Sequence, residues 1–311
     1  MHSVYIFYTQ FYDMYNSISI DKGVDPMIKI VTDSTSYIPE EERLKYDISL
    51  VSLGVLLDNQ NVRELDIALE DFYTKMDQLE EIPSSSQPSP YELYNTFEKL
   101  INEGHSIVGL FISSEMSGTY QSALSTKQAL LEKYPDAQIE IIDSRSNCMQ
   151  LGFAALVAAR AAHEGKTLQE VVDAAYEVIH HSRFLFTPDT LTYLKKGGRI
   201  GGASALLGNL LQIKPILTVV DGKTAIYTKV RTKKKAVEAL ISGLMADLKD
   251  RDLGEVIVHH IHCPEEGQAL ANRLSESLNR PVAIQSIGPV IGVHVGPGSI
   301  GVAYYTVKKG L

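Results

Sequence analysis

Ile107-Val108-Gly109-Leu110-Phe111-Ile112-Ser113-Ser114-Glu115-Met116-Ser117-Gly118-Thr119-Tyr120-Gln121 changes character twice. Its apolar first part reads as a buried strand and its hydroxyl-rich middle as a turn. Ala123-Leu124 and Ala129-Leu130-Leu131 then continue at helical spacing. A helix entered this way presents hydroxyls and unpaired backbone N–H groups at its N-terminus, a setting suited to a carboxylate or a phosphate. Ser117 or Thr119 would equally serve as a plain N-cap, which any helix start needs. Open α/β sheets bind ligands at such strand ends, so this stretch is the first candidate site.

Strand and helix alternate on both sides of it. Upstream, a strand from Met27 to Val31 runs into Thr32-Asp33-Ser34-Thr35, and Pro39 with Glu40-Glu41-Glu42 has the composition of a helix start. A second strand is expected over Ile48–Leu57, then a helix over Leu69–Leu79 with Phe72, Met76 and Leu79 on one face. Ser89, Pro90 and Glu92 spell a capping box for a helix reaching Asn102. Ser84-Ser85-Ser86, between Pro83 and Pro88, offers hydroxyls to a ligand or is a solvated linker; the local pattern favours the linker. Downstream, a strand over Gln138–Asp143 precedes helices over Met149–His163 and Leu168–His180, with Gly165 as a stop between them. The alternation predicts an α/β fold with a mostly parallel sheet.

From Phe184 the pattern changes. Leu194-Lys195-Lys196-Gly197-Gly198-Arg199-Ile200-Gly201-Gly202 holds an arginine on a glycine loop, which suits a ligand or partner contact as well as a solvated charge. It lacks a preceding strand and the GxGxxG spacing of a dinucleotide site. An apolar helix over Ser204–Leu211 and a hairpin of Ile216–Val220 with Thr224–Val230 follow. The division expected is an N-terminal α/β domain over 27–183 and a C-terminal α/β domain with a mixed sheet over 184–311. Residues 1–26, rich in Tyr and Phe yet without Leu, Ala, Glu or Arg, read as an extension outside the fold.

At 311 residues, 44% hydrophobic and 22% charged, the composition is that of a globular protein with a sizeable core. A net charge of −9 argues against general nucleic-acid binding. Cys148 and Cys263 form no CxxC pattern, which fits a reduced cytoplasmic setting better than a disulfide framework. The most apolar helix, Met149–Ala162, carries Arg160 and is too short for a bilayer, so no integral membrane association is expected. In His259-His260-Ile261-His262-Cys263, strand alternation sends His260 and His262 to one face and His259 and Cys263 to the other, so no metal site is expected. His294, between the glycines of Ile291-Gly292-Val293-His294-Val295-Gly296-Pro297-Gly298, is a stronger candidate for ligand contact, on what reads as a Gly/Pro-clamped loop.

Taken in order, Ile30-Val31-Thr32-Asp33-Ser34, Ser85-Ser86-Gln87-Pro88-Ser89, Ser113-Ser114 through Ser117-Gly118-Thr119-Tyr120-Gln121, Leu194-Lys195-Lys196-Gly197-Gly198-Arg199 and Ile291-Gly292-Val293-His294 with Gly296-Pro297-Gly298 resemble the DegV family of bacterial lipid-binding proteins. That family includes the carrier subunits of the fatty acid kinase system. The resemblance spans Met27 to Thr306 and implies a two-domain α/β protein holding one long-chain fatty acid, such as palmitate, between its domains. It further implies that Ser85, Ser117 and His294 bind the carboxylate and that Arg199 lies at the pocket mouth or contacts the partner. The partner implied is a dihydroxyacetone-kinase-like fatty acid kinase that forms the acyl-phosphate; this chain would be a non-catalytic carrier with no cofactor. Family members commonly have Thr where this chain has Ser85, so the hydroxyl is kept and a methyl is lost.

The physical logic agrees. Burying about fourteen methylenes is worth up to roughly 11 kcal/mol, less association and ordering costs. The carboxylate needs hydroxyl donors, with a protonated imidazole as a further option. The alternative is a serine hydrolase or esterase using Ser117, His294 and an acid such as Asp33 or Asp143. Glu115-Met116-Ser117-Gly118-Thr119 is not a GxSxG nucleophile elbow, which counts against it. A sugar- or phosphate-binding module would call for more basic residues than Arg199 near the site.

Overall fold

The apolar run Ile28–Asp33 forms strand β1, buried from Ile30 onward, and the rest of the first half assembles around it. Helix α1 (Glu40–Lys45) leads into β2 (Ser49–Val51), followed by β3 (Gly54–Leu57), β4 (Gln60–Arg63) and α2 (Leu69–Met76). Then come β5 (Ser84–Ser86), α3 (Pro90–Asn102), β6 (Ser106–Phe111), α4 (Thr119–Lys133), β7 (Ile139–Asp143), α5 (Cys148–His163) and α6 (Leu168–His181). The second half runs β8 (Ser182–Thr187), α7 (Thr192–Lys196), β9 (Lys214–Val220), β10 (Lys223–Val230), α8 (Lys233–Asp247) and β11 (Arg251–His260). It finishes with α9 (Pro264–Leu278), β12 (Ala283–Ser286), α10 (Pro289–Val295) and β13 (Ile300–Lys308). This computed structural model describes residues 27–57, 60–76, 78–79, 81–207 and 213–310. The extension read over residues 1–26, and Leu210 and Leu211 of the expected apolar helix, lie outside them.

β2-β1-β6-β7 form a sheet in which every pairing is parallel, as the strand–helix alternation requires. β10-β9-β8-β13-β11-β12 form a mixed sheet, antiparallel except for β11 with β12. The α/β class with one parallel and one mixed sheet is therefore the observed one. α3 and α4 cover one face of the parallel sheet through Leu93, Phe97 and Leu130. α5 and α6 lie between the two sheets, and α8 and α9 close the far face of the mixed sheet.

α5 explains its own composition. Packed against β1 and β6 on one side and β8 and β13 on the other, it buries Leu151, Phe153, Ala154, Ala155, Leu156, Ala158 and Ala159, so it has no long polar face. Arg160, which interrupts the apolar run, pairs with Glu255 and, at 3.3 Å, with Glu42. No helix among the described residues is long and apolar enough to cross a membrane.

Several local readings need correction. The strand expected over Ile48–Leu57 is two strands: the chain leaves the parallel sheet at Ser52 and Leu53, and β3 joins a separate antiparallel sheet, β4-β3-β5. Ser84–Ser86 is thus not a linker but β5, paired Leu56 to Ser84, Val55 to Ser85 and Gly54 to Ser86. Ser89 does cap α3, accepting from the Glu92 N–H at 3.1 Å, but the Glu92 carboxylate accepts from the Ser52 N–H at 3.0 Å and from Arg63 rather than closing a box. Gly201–Leu206 winds as a 3₁₀-helix, not the start of an α-helix. The β9–β10 turn, Asp221-Gly222, has φ of 50° and 78°, the pair of positive angles a two-residue hairpin demands.

Candidate functional site

The chain leaving the C-terminal ends of β6 and β7 borders a cavity that the mixed sheet closes from the other side. From the parallel-sheet side it is lined by Leu53, Ile112, Met116, Ser117 and Asn147, and from the mixed sheet by Phe184, Phe186, Val219, His259 and Ile300. α10 supplies Val290, Ile291 and His294, and β5 supplies Ser85. The free space among these atoms, its open mouth included, is about 720 Å³. The hairpin tip is tied over the strand ends: Ser113 Oγ donates to the Gly222 carbonyl at 2.8 Å, and Arg145 donates to the Asp221 carbonyl.

All four side chains singled out from the sequence line this cavity. Ser85 Oγ and His294 Nε2 are 2.7 Å apart, although they are 209 positions apart in the chain. His294 is not on a loop: Pro289 starts α10 and Gly296, with φ of 88°, ends it, so the clamping residues bound a short helix. Burial, and secondarily the positive charge of Arg199, push the His294 imidazole down to about 4, so it is neutral at pH 7. Its Nδ1 has no hydrogen-bond partner among the described residues. Arg199 is exposed at the mouth, where Nε donates to the Met116 carbonyl at 3.0 Å and Nη1 to the Gly197 carbonyl at 2.7 Å. Ser117 Oγ lies 2.9 Å from Thr119 Oγ1 and accepts from the Thr119 N–H at 3.3 Å, so it helps cap α4 while facing the cavity. Ser85, His294, Arg199 and Ser117 are thus polar groups on a cavity whose wall is mostly apolar.

The two acids considered as triad members are engaged elsewhere. Asp33, fully buried and pushed up to about 6 by desolvation, accepts from Thr35 and from the Ile112 N–H at 2.7 Å, which fastens β1 to the end of β6. Asp143 accepts from Ser114 and Arg145. His259 also lines the cavity, buried edge-on against Tyr37 and Phe184 and pushed down to about 4 by desolvation; its Nε2 accepts from the Met149 N–H. β11 ends at His260 and Cys263 caps α9. Among the described residues, no three His, Cys, Asp or Glu side chains group so as to hold a metal ion.

Gly197 was legible only as part of a glycine run, and its job is spatial. Its φ of −74° suits any residue, but a Cβ there would run into His294 Nδ1. Gly197→Ala is therefore expected to push the imidazole off Ser85 at little cost to the backbone. The ring-proton NMR resonances of His294 should shift while the melting temperature stays within a few degrees; an unchanged His294 spectrum contradicts this.

Comparison with known proteins agrees with the whole fold. A family model, that of the uncharacterised DegV family, matches residues 27–307. A DegV domain-containing protein of Clostridium acetobutylicum is 53% identical over 282 residues, covering 91% of this chain and 99% of its own. Among solved structures, the chain is similar to a fatty-acid-binding DegV family protein from Thermus thermophilus (TM-score 0.83, 30% identity, 90% of this chain and 100% of that one). It is also similar to DegV, a fatty acid binding protein from Bacillus subtilis (TM-score 0.82, 30% identity, 91% and 100%). With matched sequence from Met27 to Val307 and the same architecture, the chain belongs to the DegV family.

Proposed function

We propose that this protein binds one long-chain fatty acid, its tail in the cavity between the sheets and its carboxylate among Ser85, Ser117 and His294. The observation that carries the reading is a largely apolar cavity lined by the hydrogen-bonded Ser85–His294 pair, by Ser117 and by an arginine that no carboxylate among the described residues neutralises. The solved relatives from Thermus thermophilus and Bacillus subtilis are fatty-acid-binding proteins of the same architecture, which supports it.

The chemistry follows from the pairing. With the proton on Nε2, His294 donates to Ser85 Oγ, and the Ser85 hydroxyl hydrogen turns into the cavity as a donor for an incoming carboxylate. Ser117, on the same cavity, is a second hydroxyl donor, and Arg199 supplies positive charge without full burial. Affinity comes from the tail against Phe184, Phe186, Ile291 and their neighbours; orientation comes from the hydroxyls. Arg199 at the mouth suits contact with a fatty acid kinase, which would carry out the phosphoryl transfer to an acyl-phosphate. Free Cys148 and Cys263 fit a cytoplasmic setting.

A hydrolase needs Ser117 against His294 and an acid on Nδ1. Here Ser117 bonds to Thr119, His294 bonds to Ser85, and Asp33 and Asp143 are committed elsewhere. The binding reading needs no such triad.

Organic extraction of protein purified from cells, followed by mass spectrometry, should release about one fatty acid per chain. Ser117→Ala should retain several-fold less without loss of folding. A wild-type protein that carries no fatty acid and takes none up sinks the proposal, and covalent labelling of Ser117 by a fluorophosphonate, with ester turnover, replaces it by the hydrolase.

A further inference from the structure

α10 contributes Val290, Ile291, His294 and Val295 to the cavity, yet at seven residues it cannot hold itself in place. Its own sequence supplies no cap. Gly288, the N-cap, has no side chain, and Pro289 has no N–H, so Val290 carries the first helical N–H that needs an acceptor. That acceptor comes from 226 positions away: Glu64 Oε1 takes the Val290 N–H at 2.9 Å. One residue earlier the same turn is gripped from its other polar side. Tyr73 OH lies 2.8 Å from the Ile287 carbonyl and 3.0 Å from the Gly288 carbonyl, and donates to this pair. Both side chains are buried, Glu64 to 5% exposure and Tyr73 to 1%. Glu64 is fixed in turn by the hydroxyls of Ser34 and Tyr37, while its own N–H donates to the Leu53 carbonyl at 2.8 Å. A Cβ on Gly288 would strike Glu64 and Tyr37, and one on Gly292 would strike Tyr73, so the helix start is built to receive these two side chains. No cation pairs with the Glu64 carboxyl among its hydrogen-bond partners, which makes it a costly group to bury for packing alone.

We infer that Glu64 and Tyr73 are positioning residues of the lipid site: they hold the Ile287–Val290 turn and so set where α10 places His294 against Ser85. The inference rests on the fatty-acid-binding reading. Neither residue touches the ligand; each acts through the helix.

The test is a set of paired variants, with dissociation constants from displacement of a fluorescent fatty acid on the lipid-stripped full chain. Glu64→Met removes the acceptor at similar volume and should weaken binding about tenfold. Glu64→Gln keeps Oε1 as an acceptor and should restore most of the affinity. Tyr73→Phe, which keeps the ring in its packed place and removes only the hydroxyl, should cost several-fold. In a His294→Ala background both losses should shrink to within about twofold, because the group being positioned is gone. Equal losses with and without His294, or no loss in either variant, overturn the inference; should Glu64→Met fail to fold, Tyr73→Phe alone decides. No binding by wild type removes the fatty-acid reading and this one with it, whereas normal wild-type binding with uncoupled variants removes only this one.

Discussion

Replacing His294 by Ala is expected to weaken fatty-acid binding by about 10- to 100-fold at pH 7, the largest loss from any single polar change in the site. Two effects add. His294 Nε2 is the partner that fixes the Ser85 hydroxyl at 2.7 Å, so its removal frees that hydroxyl to rotate away from the ligand. His294 is also the group in the site with latent charge. Desolvation and Arg199 hold the imidazole down at about 4, but a carboxylate placed beside it favours the protonated form and draws the value back up. A ring that is neutral without ligand and more basic with it contributes a charge-assisted hydrogen bond only when the acid is bound. Displacement titration measures the effect, with thermal melting to show that the lipid-free variant stays folded. An affinity within twofold of wild type would mean that the carboxylate lies elsewhere in the cavity. His294→Gln, which can still donate to Ser85, should fall between the two.

Much of this site could be read from the chain because its residues announce themselves locally. Ser117 sits where an apolar strand meets a helix, and Arg199 and His294 sit among glycines whose only use is close approach or a sharp turn. The parallel sheet, apart from the extent of its edge strand β2, followed from the pattern, since buried parallel strands leave near-continuous apolar runs such as Ile107–Ile112. What failed were features decided by distant partners. Ser84–Ser86 has the composition of a linker and becomes a strand only because Gly54–Leu57 pairs with it. The Glu92 carboxylate had a local role in prospect and took the Ser52 N–H instead. His294 reads as a loop residue because α10 lacks a local cap, and the cap it uses comes from Glu64, in a stretch with no motif at all. Asp33 accepts from Thr35 within its own turn, but its second oxygen reaches Ile112 across the sheet. No spacing rule reports such a bond. The legible part is what adjacent residues enforce; the illegible part is what the topology brings together.

Stability against pH isolates Glu64 more sharply than any binding assay. Two buried acids and two buried histidines are pushed into or across the range between about pH 4 and 7, each with desolvation as the first cause. Asp33 rises from 3.8 to about 6 and Glu64 from 4.5 to about 7, while His259 and His294 fall from 6.5 to about 4. Between pH 4.5 and 6 the two acids keep protons in the folded state that the unfolded chain has released, so each removes stability as pH rises. The two histidines lack protons that the unfolded chain carries, so each adds stability over the same window. Each contribution has a limiting slope of about 1.4 kcal/mol per pH unit, and the opposing pairs largely offset one another. Glu64→Gln removes one acid from that balance. Its amide keeps Oε1 as the acceptor of the Val290 N–H, while Nε2 stands in place of the oxygen that accepts from Ser34, whose hydroxyl must turn to accept from it. After desolvation, the donors Ser34, Val290 and Tyr37 lower Glu64 and the charge of Asp33 raises it; Tyr37, Tyr73 and Cys148, pushed well above their ordinary values, stay neutral beside it. The variant should match wild type near pH 4.5 and gain on it steadily up to about pH 7, by on the order of 2–3 kcal/mol, because only wild type bears the cost of ionising a carboxyl in the core. Urea unfolding of both proteins at half-unit steps from pH 4.5 to 8 gives the difference directly, with all other titrating groups common to the two. A difference that does not change with pH would mean that Glu64 ionises as an ordinary surface carboxylate does. The clasp on α10 would then be worth no more in one protonation state than in the other.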